Sequence, residues 1–253
     1  MKFRSPILVM LSMTLCAAST LSAQDFAIRT QIFQDGKSRP LAENLTIFRG
    51  DKIYDFLLVE PSTVTTFDIT QRSFVLANPQ LAQQTVVAAD ELIRFASEGH
   101  TKALKSTNEL VKFAASPAFA ESFDAKTGLL TLSSVVWDYE VETEVWTDAD
   151  QQKRYGEFVH WYAYLNAMFR ALPPGLRLEL NQTLARRGRY PTRVIVRVKQ
   201  DGEVVRQQES RHQLIHQLTA SETKRLNAWL EKQPEMTFTD FVTFRKSQLE
   251  SEK

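Results

Sequence analysis

The 253-residue sequence has one cysteine, Cys16, and eight glycines. Beyond Cys16 there is no thiol, which excludes disulfides and cysteine-held metal from the rest of the chain. Scarce glycine argues against phosphate-cradling loops, which need close backbone approach to an anion. No Gly-rich phosphate loop, nucleophile elbow or Ser–His–Asp ordering is visible. Neither sign of charge dominates, with 31 basic against 30 acidic residues. A global electrostatic attraction to nucleic acid or anionic lipid is therefore missing. After the first 23 residues no apolar run is long enough to span a bilayer. No cofactor and no metal is expected.

Residues 1–23 are what the chain has in place of a catalytic motif. Lys2 and Arg4 precede an apolar stretch from Pro6 to Leu15, and small residues lead to Leu21-Ser22-Ala23. That is the anatomy of a secretory signal, with cleavage expected after Ala23. Leu15 before Cys16 departs from the small residue that a lipidated cysteine requires. The expected mature chain starts at Gln24, is exported to the periplasm or beyond, and carries one more acid than base. With 43% hydrophobic residues in the sequence, it can build a core without disulfides.

Short runs of β-branched and aromatic residues follow, punctuated by Gly, Asp, Asn and Pro. Strands are expected at 26–33, 44–48, 53–59, 64–69, 73–76 and 83–87, paired as an antiparallel meander. Apolar spacing predicts helices over 90–97 and 102–113, ended by Ser116-Pro117. Period two returns at 128–132 and is clearest at 135–146. There Trp137, Tyr139, Val141, Thr143 and Val145 share a dry face, and Asp138, Glu140, Glu142 and Glu144 a wet one. A helix is expected at 157–172, ended by Pro173-Pro174-Gly175. Further strands are expected at 176–183, 192–199 and 203–214, the last two joined at Asp201-Gly202. Helices from Ser221 to Lys232 and from Thr239 close the chain.

Several constellations are read as structural. His212 and His216, with Glu209 nearby, lie too far apart on a strand to share an ion, and a solvated polar face is expected. His100 and His160 have no partner at ligand spacing. The acids of 138–144 suit cross-strand pairing with Arg193, Arg197 and Lys199 better than acid–base catalysis. Arg186-Arg187-Gly188-Arg189 is expected to crown a hairpin. Asn44-Leu-Thr46 and Asn181-Gln-Thr183 match a glycosylation sequon but fall in expected strands.

The layout resembles the outer-membrane lipoprotein carriers and related exported domains. The block Leu45-Thr-Ile-Phe-Arg-Gly-Asp-Lys-Ile-Tyr-Asp-Phe56 is similar to their strand–turn–strand, and Val64–Ile69 with Ser73–Leu76 to the next pair. Asp138–Trp146, a helix and then Leu176–Thr183 resemble their later half. The resemblance spans roughly 26–215 and is one of pattern, with no residue motif carried over. The helical insert near 90–115 and the helices near 221–250 depart from it. It implies an α+β fold, a strongly curved antiparallel half-barrel with helices on its concave side. The domain would cover 24–218, with 219–253 as a helical extension. It also implies an apolar cavity that takes a lipid or a lipoprotein acyl chain.

Function is then expected to be non-enzymatic binding of an apolar ligand or a protein partner. The alternatives are an interaction module with a packed interior and, less favoured, a hydrolase. Ligand-lining residues are expected to be Trp137 and Tyr139 on the dry strand face, with Phe158, Trp161, Tyr162, Leu165 and Phe169 on the helix. The helix stripe serves equally as plain core.

Overall fold

The computed structural model describes residues 24–34, 36–169 and 172–251. Residues 1–23, where a secretory signal is expected, lie outside them. In chain order come β1 (Phe26–Gln34), β2 (Ala42–Arg49), β3 (Lys52–Leu57), β4 (Val64–Asp68), β5 (Ser73–Asn78) and β6 (Gln83–Ala88). Helices α1 (Ala89–Leu104) and α2 (Glu109–Ala115) follow, then β7 (Ala120–Asp124), β8 (Leu129–Ser133) and β9 (Trp137–Val145). Next are α3 (Ala149–Phe169), α4 (Gly175–Arg186), β10 (Arg189–Gln200) and β11 (Glu203–Ile215). The chain ends with α5 (Ala220–Lys232), β12 (Thr237–Phe238) and α6 (Phe241–Ser251).

The fold is α+β. All twelve strands form one sheet that is not closed into a barrel, ordered β12-β6-β5-β4-β3-β2-β1-β11-β10-β9-β8-β7. Two meanders, β2–β6 and β7–β11, flank β1. Pairing is antiparallel throughout except for β12 beside β6, so the expected purely antiparallel sheet is a mixed one. The β10–β11 hairpin turns at Asp201 and Gly202, whose φ values of 52° and 83° are those a type I′ turn demands.

One sheet face carries Phe26, Phe48, Phe67 and Phe74, packed with Phe158 and Leu165 of α3, Leu92 of α1 and Phe244 of α6. Toward β8–β10, Leu130, Leu132, Tyr139, Val141 and Val194 meet Leu176, Leu180 and Leu184 of α4. The opposite face buries Ala27, Leu45, Ile47, Tyr54 and Phe56 under Leu226 and Trp229 of α5. The helices therefore divide between both faces, where a single helical face was expected. Alternation explains the division: successive side chains of β1 and β2 point to opposite sides, and both sides are apolar.

Other elements differ from the sequence reading. Residues 176–183 form helix α4 and not a strand. Leu176-Arg-Leu-Glu-Leu180 alternates, but Leu176, Leu180, Thr183 and Leu184 are the buried positions, a helical stripe. Gly175 opens α4 because a Cβ there would collide with the Ala114 carbonyl at the end of α2. Asn181 accordingly sits on a helix, and Arg186–Arg189 forms the α4–β10 junction, with Gly188 at φ 62°, where a hairpin crown was expected. The helix expected at 102–113 is split, since α1 runs to Leu104 and Asn108 caps α2.

On β9 the alternation holds for Tyr139, Val141 and Thr143, which are buried, while Trp137 is half-buried. Val145 was expected inside and is 56% exposed. It is the last strand residue, and the chain turns so that Trp146 enters the core in its place, 4.7 Å from the Tyr190 ring and 5.3 Å from Tyr155. The acids pair as expected: Lys199–Asp138 at 2.9 Å, Arg197–Glu140 at 2.9 Å and Arg193–Glu142 at 3.0 Å. Each such surface pair contributes about 0.2–1 kcal/mol. Glu144 instead accepts from the Tyr190 hydroxyl.

Candidate functional site

The α3 sequence repeats a pattern on one arc. Tyr155, Phe158, Val159, Tyr162, Ala163, Asn166 and Ala167 fall three and four apart, so they line one stripe. That stripe faces a cavity of about 510 Å³ between α3, the start of α4 and the sheet. Wall residues come from both sides of β1. Thr46, Phe48 and Leu57 lie on one side, Trp137, Tyr139, Val194 and Val196 on the other, and Ile28 on β1 itself. Leu172, Pro173, Pro174 and Leu176 form the rim where α3 gives way to α4.

Of the seven ligand-lining candidates, Trp137, Tyr139, Phe158 and Tyr162 lie on this wall. Trp161, Leu165 and Phe169 lie on the neighbouring arc of α3. Leu165 is buried in the core, and Trp161 packs against it beside His160 (5.3 Å) and Tyr164 (5.8 Å). Phe169 meets Phe241 of α6 at 5.9 Å under the Arg245 guanidinium. The apolar arc of α3 is wide enough to serve both cavity and core.

The polar wall groups form two clusters. Asp55 on β3 is buried and accepts hydrogen bonds from Thr46 Oγ1 (2.7 Å), Tyr162 OH (2.8 Å) and Asn44 Nδ2 (3.0 Å). Burial pushes its carboxyl up from the ordinary 3.8, against those hydrogen bonds, which favour the charged form. The Tyr162 bond ties α3 to the sheet floor.

The second cluster lies where β1 meets β11. Thr30 and His212 are directly opposed in the ladder. The His212 ring pairs through Nδ1 with Thr30 Oγ1 (3.0 Å) and through Nε2 with Ser210 Oγ (2.9 Å). His212 therefore borders the cavity, not the solvated face expected for it. Burial, reinforced by the Arg177 charge, lowers its pKa to about 3, so the ring is neutral at physiological pH. Nearby, burial raises the Tyr139 hydroxyl to about 12, against the Arg177 charge, which favours the phenolate.

No protein-family model matches the chain, and no curated protein matches it. The site therefore rests on its own chemistry. Among the described residues no group of three His, Cys, Asp or Glu side chains is placed to hold a metal ion. Among them also, no helix is long and apolar enough to cross a membrane.

His212 was visible in the sequence only as half of a histidine pair. Thr30 lies 182 residues away in the chain, and no local pattern announces such a partner. Nothing in the local sequence distinguishes Arg177 from the other bases of the chain. Its wall position follows from α4 being a helix.

Proposed function

We propose that this chain is an exported, non-enzymatic protein that binds an apolar or amphipathic ligand in the cavity under α3 and α4. One observation carries the reading. The cavity of about 510 Å³ is walled mainly by aromatic and aliphatic side chains, with polar groups making up about a third of its lining. Small-molecule sites are commonly ~300–1,000 Å³ and have this composition. A fully packed interaction module would have filled the same space with side chains.

On this reading the sheet bends round the cavity as a half-barrel, as in the lipoprotein carriers that the sequence resembles, and the occupant carries an acyl chain. Export rests on the signal anatomy of residues 1–23. Native mass spectrometry of the mature protein from its own host is expected to show a co-purifying amphiphile that is released on denaturation. A uniformly empty protein that also takes up no fluorescent lipid analogue would leave the interaction module standing.

Hydrolysis at Ser210 is the second reading, favoured by the 2.9 Å Ser210–His212 contact on the cavity wall. Three features oppose it. An imidazole held near 3 is a weak base. Its other nitrogen faces a threonine hydroxyl, where a carboxylate would stabilise the imidazolium. The β11 backbone pairs with β1 and β10 around Ser210, so its amides are not free to form an oxyanion hole. Incubation with a fluorophosphonate probe is expected to leave Ser210 unlabelled. Stoichiometric labelling that Ser210→Ala abolishes would reinstate the hydrolase.

A further inference from the structure

We propose that Arg177 receives the anionic headgroup, carboxylate or phosphate, of a single-chain amphiphile whose hydrocarbon chain lies in the cavity. The proposal rests on the ligand-binding reading above and deepens it.

The first support is a cation left over. Arg193, Arg197, Arg49 and Arg29 each reach a carboxylate, at 2.7–3.0 Å. Arg177 lines the cavity, is half-buried, and its guanidinium makes no ion pair or hydrogen bond among the described residues. Drawing a charge away from bulk water is unfavourable unless a counter-charge faces it.

The second support is the rest of the wall. Among the described residues only one other charged side chain lines the cavity, Asp55, and its carboxylate already takes three hydrogen bonds. Asp55 is thus occupied on the β3 side, and no carboxylate of the wall is left to face Arg177.

The third support is the company Arg177 keeps. His212, Tyr139 and Tyr155 line the same cavity, and the Arg177 charge is felt at each of them. One of the Thr30 and Ser210 hydroxyls donates to the bare nitrogen of the neutral His212 ring, and the other accepts from the ring N–H and keeps its own proton to donate to an oxyanion. The guanidinium fork matches the paired oxygens of a carboxylate or phosphate. Phe158, Leu176, Val194 and Val196 add an apolar lining for a tail to the same cavity. A volume of about 510 Å³ suits one small ligand and not a multi-chain lipid.

The test is displacement of the neutral probe N-phenylnaphthylamine from the full mature chain by palmitate, hexadecyl phosphate and hexadecanol, which share one chain length. One or both acids are expected to bind about 10- to 100-fold tighter than the alcohol, as a charge-assisted contact implies. Preference for one acid identifies the headgroup as carboxylate or phosphate. Arg177→Gln is expected to remove the advantage, so that within this variant the acids bind within about two-fold of the alcohol. Equal binding of acids and alcohol by the wild-type chain overturns the headgroup assignment while sparing the cavity reading. So does an acid preference that survives in Arg177→Gln. If neither the probe nor any of the three amphiphiles binds, the cavity reading itself falls. Should Arg177→Gln fail to fold, by circular dichroism, the wild-type comparison and Arg177→Met decide.

Discussion

Replacing Phe67 by alanine is expected to cost about 3–5 kcal/mol of stability. Phe67 is fully buried, stacks on Phe74 at 4.5 Å between ring centroids and leans on Phe158 of α3 at 6.5 Å. It lies in the sealed part of the first core cluster, off the cavity wall, so neither water nor ligand can fill the space it would leave. The cost combines lost transfer energy with an unfilled void. Urea unfolding should show a lower midpoint with an unchanged slope. Val145→Ala is the matched control, because that side chain is exposed, and a change within about 0.5 kcal/mol is expected there. A Phe67 loss below about 1 kcal/mol would mean that α3 is not seated on the sheet.

The second large effect is a dependence of stability on pH through His212. In the unfolded chain the ring titrates near 6.5, and in the folded chain near 3. Between those values the unfolded state holds a proton that the folded state refuses. The sign follows: this contribution is fully present above pH 6.5 and drains away as pH falls toward 3. At ~1.4 kcal/mol per pH unit the gap corresponds to about 3–5 kcal/mol, and any water in the cavity reduces it. The groups around the ring are Thr30, Ser210 and the Arg177 cation, and none of them offers a carboxylate to stabilise an imidazolium. His212→Gln keeps hydrogen-bonding capacity and cannot titrate. Its stability should therefore fall less than that of wild type between pH 7 and 4. Parallel curves for the two proteins would show that the ring is open to bulk water.

Local pattern made most of the strands legible, and it failed where partners are distant or patterns coincide. The acids of β9 and the bases of β10 could be matched because each strand alternates cleanly, and their ion pairs follow from register alone. Helix α4 was misread because leucine every second residue is also leucine every fourth. Leucine is the better helix former, and the burial of Leu176, Leu180 and Leu184 resolves the coincidence. The apolar part of the candidate cavity wall was visible only in Phe158 and Tyr162 of α3 and Trp137 and Tyr139 of β9. The polar part was not, since Asp55, Thr30 and Arg177 acquire meaning only when β3, β1 and α4 are brought to one space.

The central position of β1 bears on how this molecule comes together. Thr30 pairs with Asn44 on one side and with His212 on the other. The second pairing closes a loop of most of the chain, a step with a large entropic cost that slows folding. Until it happens the protein is two half-sheets, and β1 and β11 each present a bare row of amides and carbonyls. Such edges recruit other strands, so a chain truncated before β11 is exposed to aggregation at β1. The cavity is built across this same seam. On the ligand-binding reading proposed above, an occupant can be held only once this seam has closed.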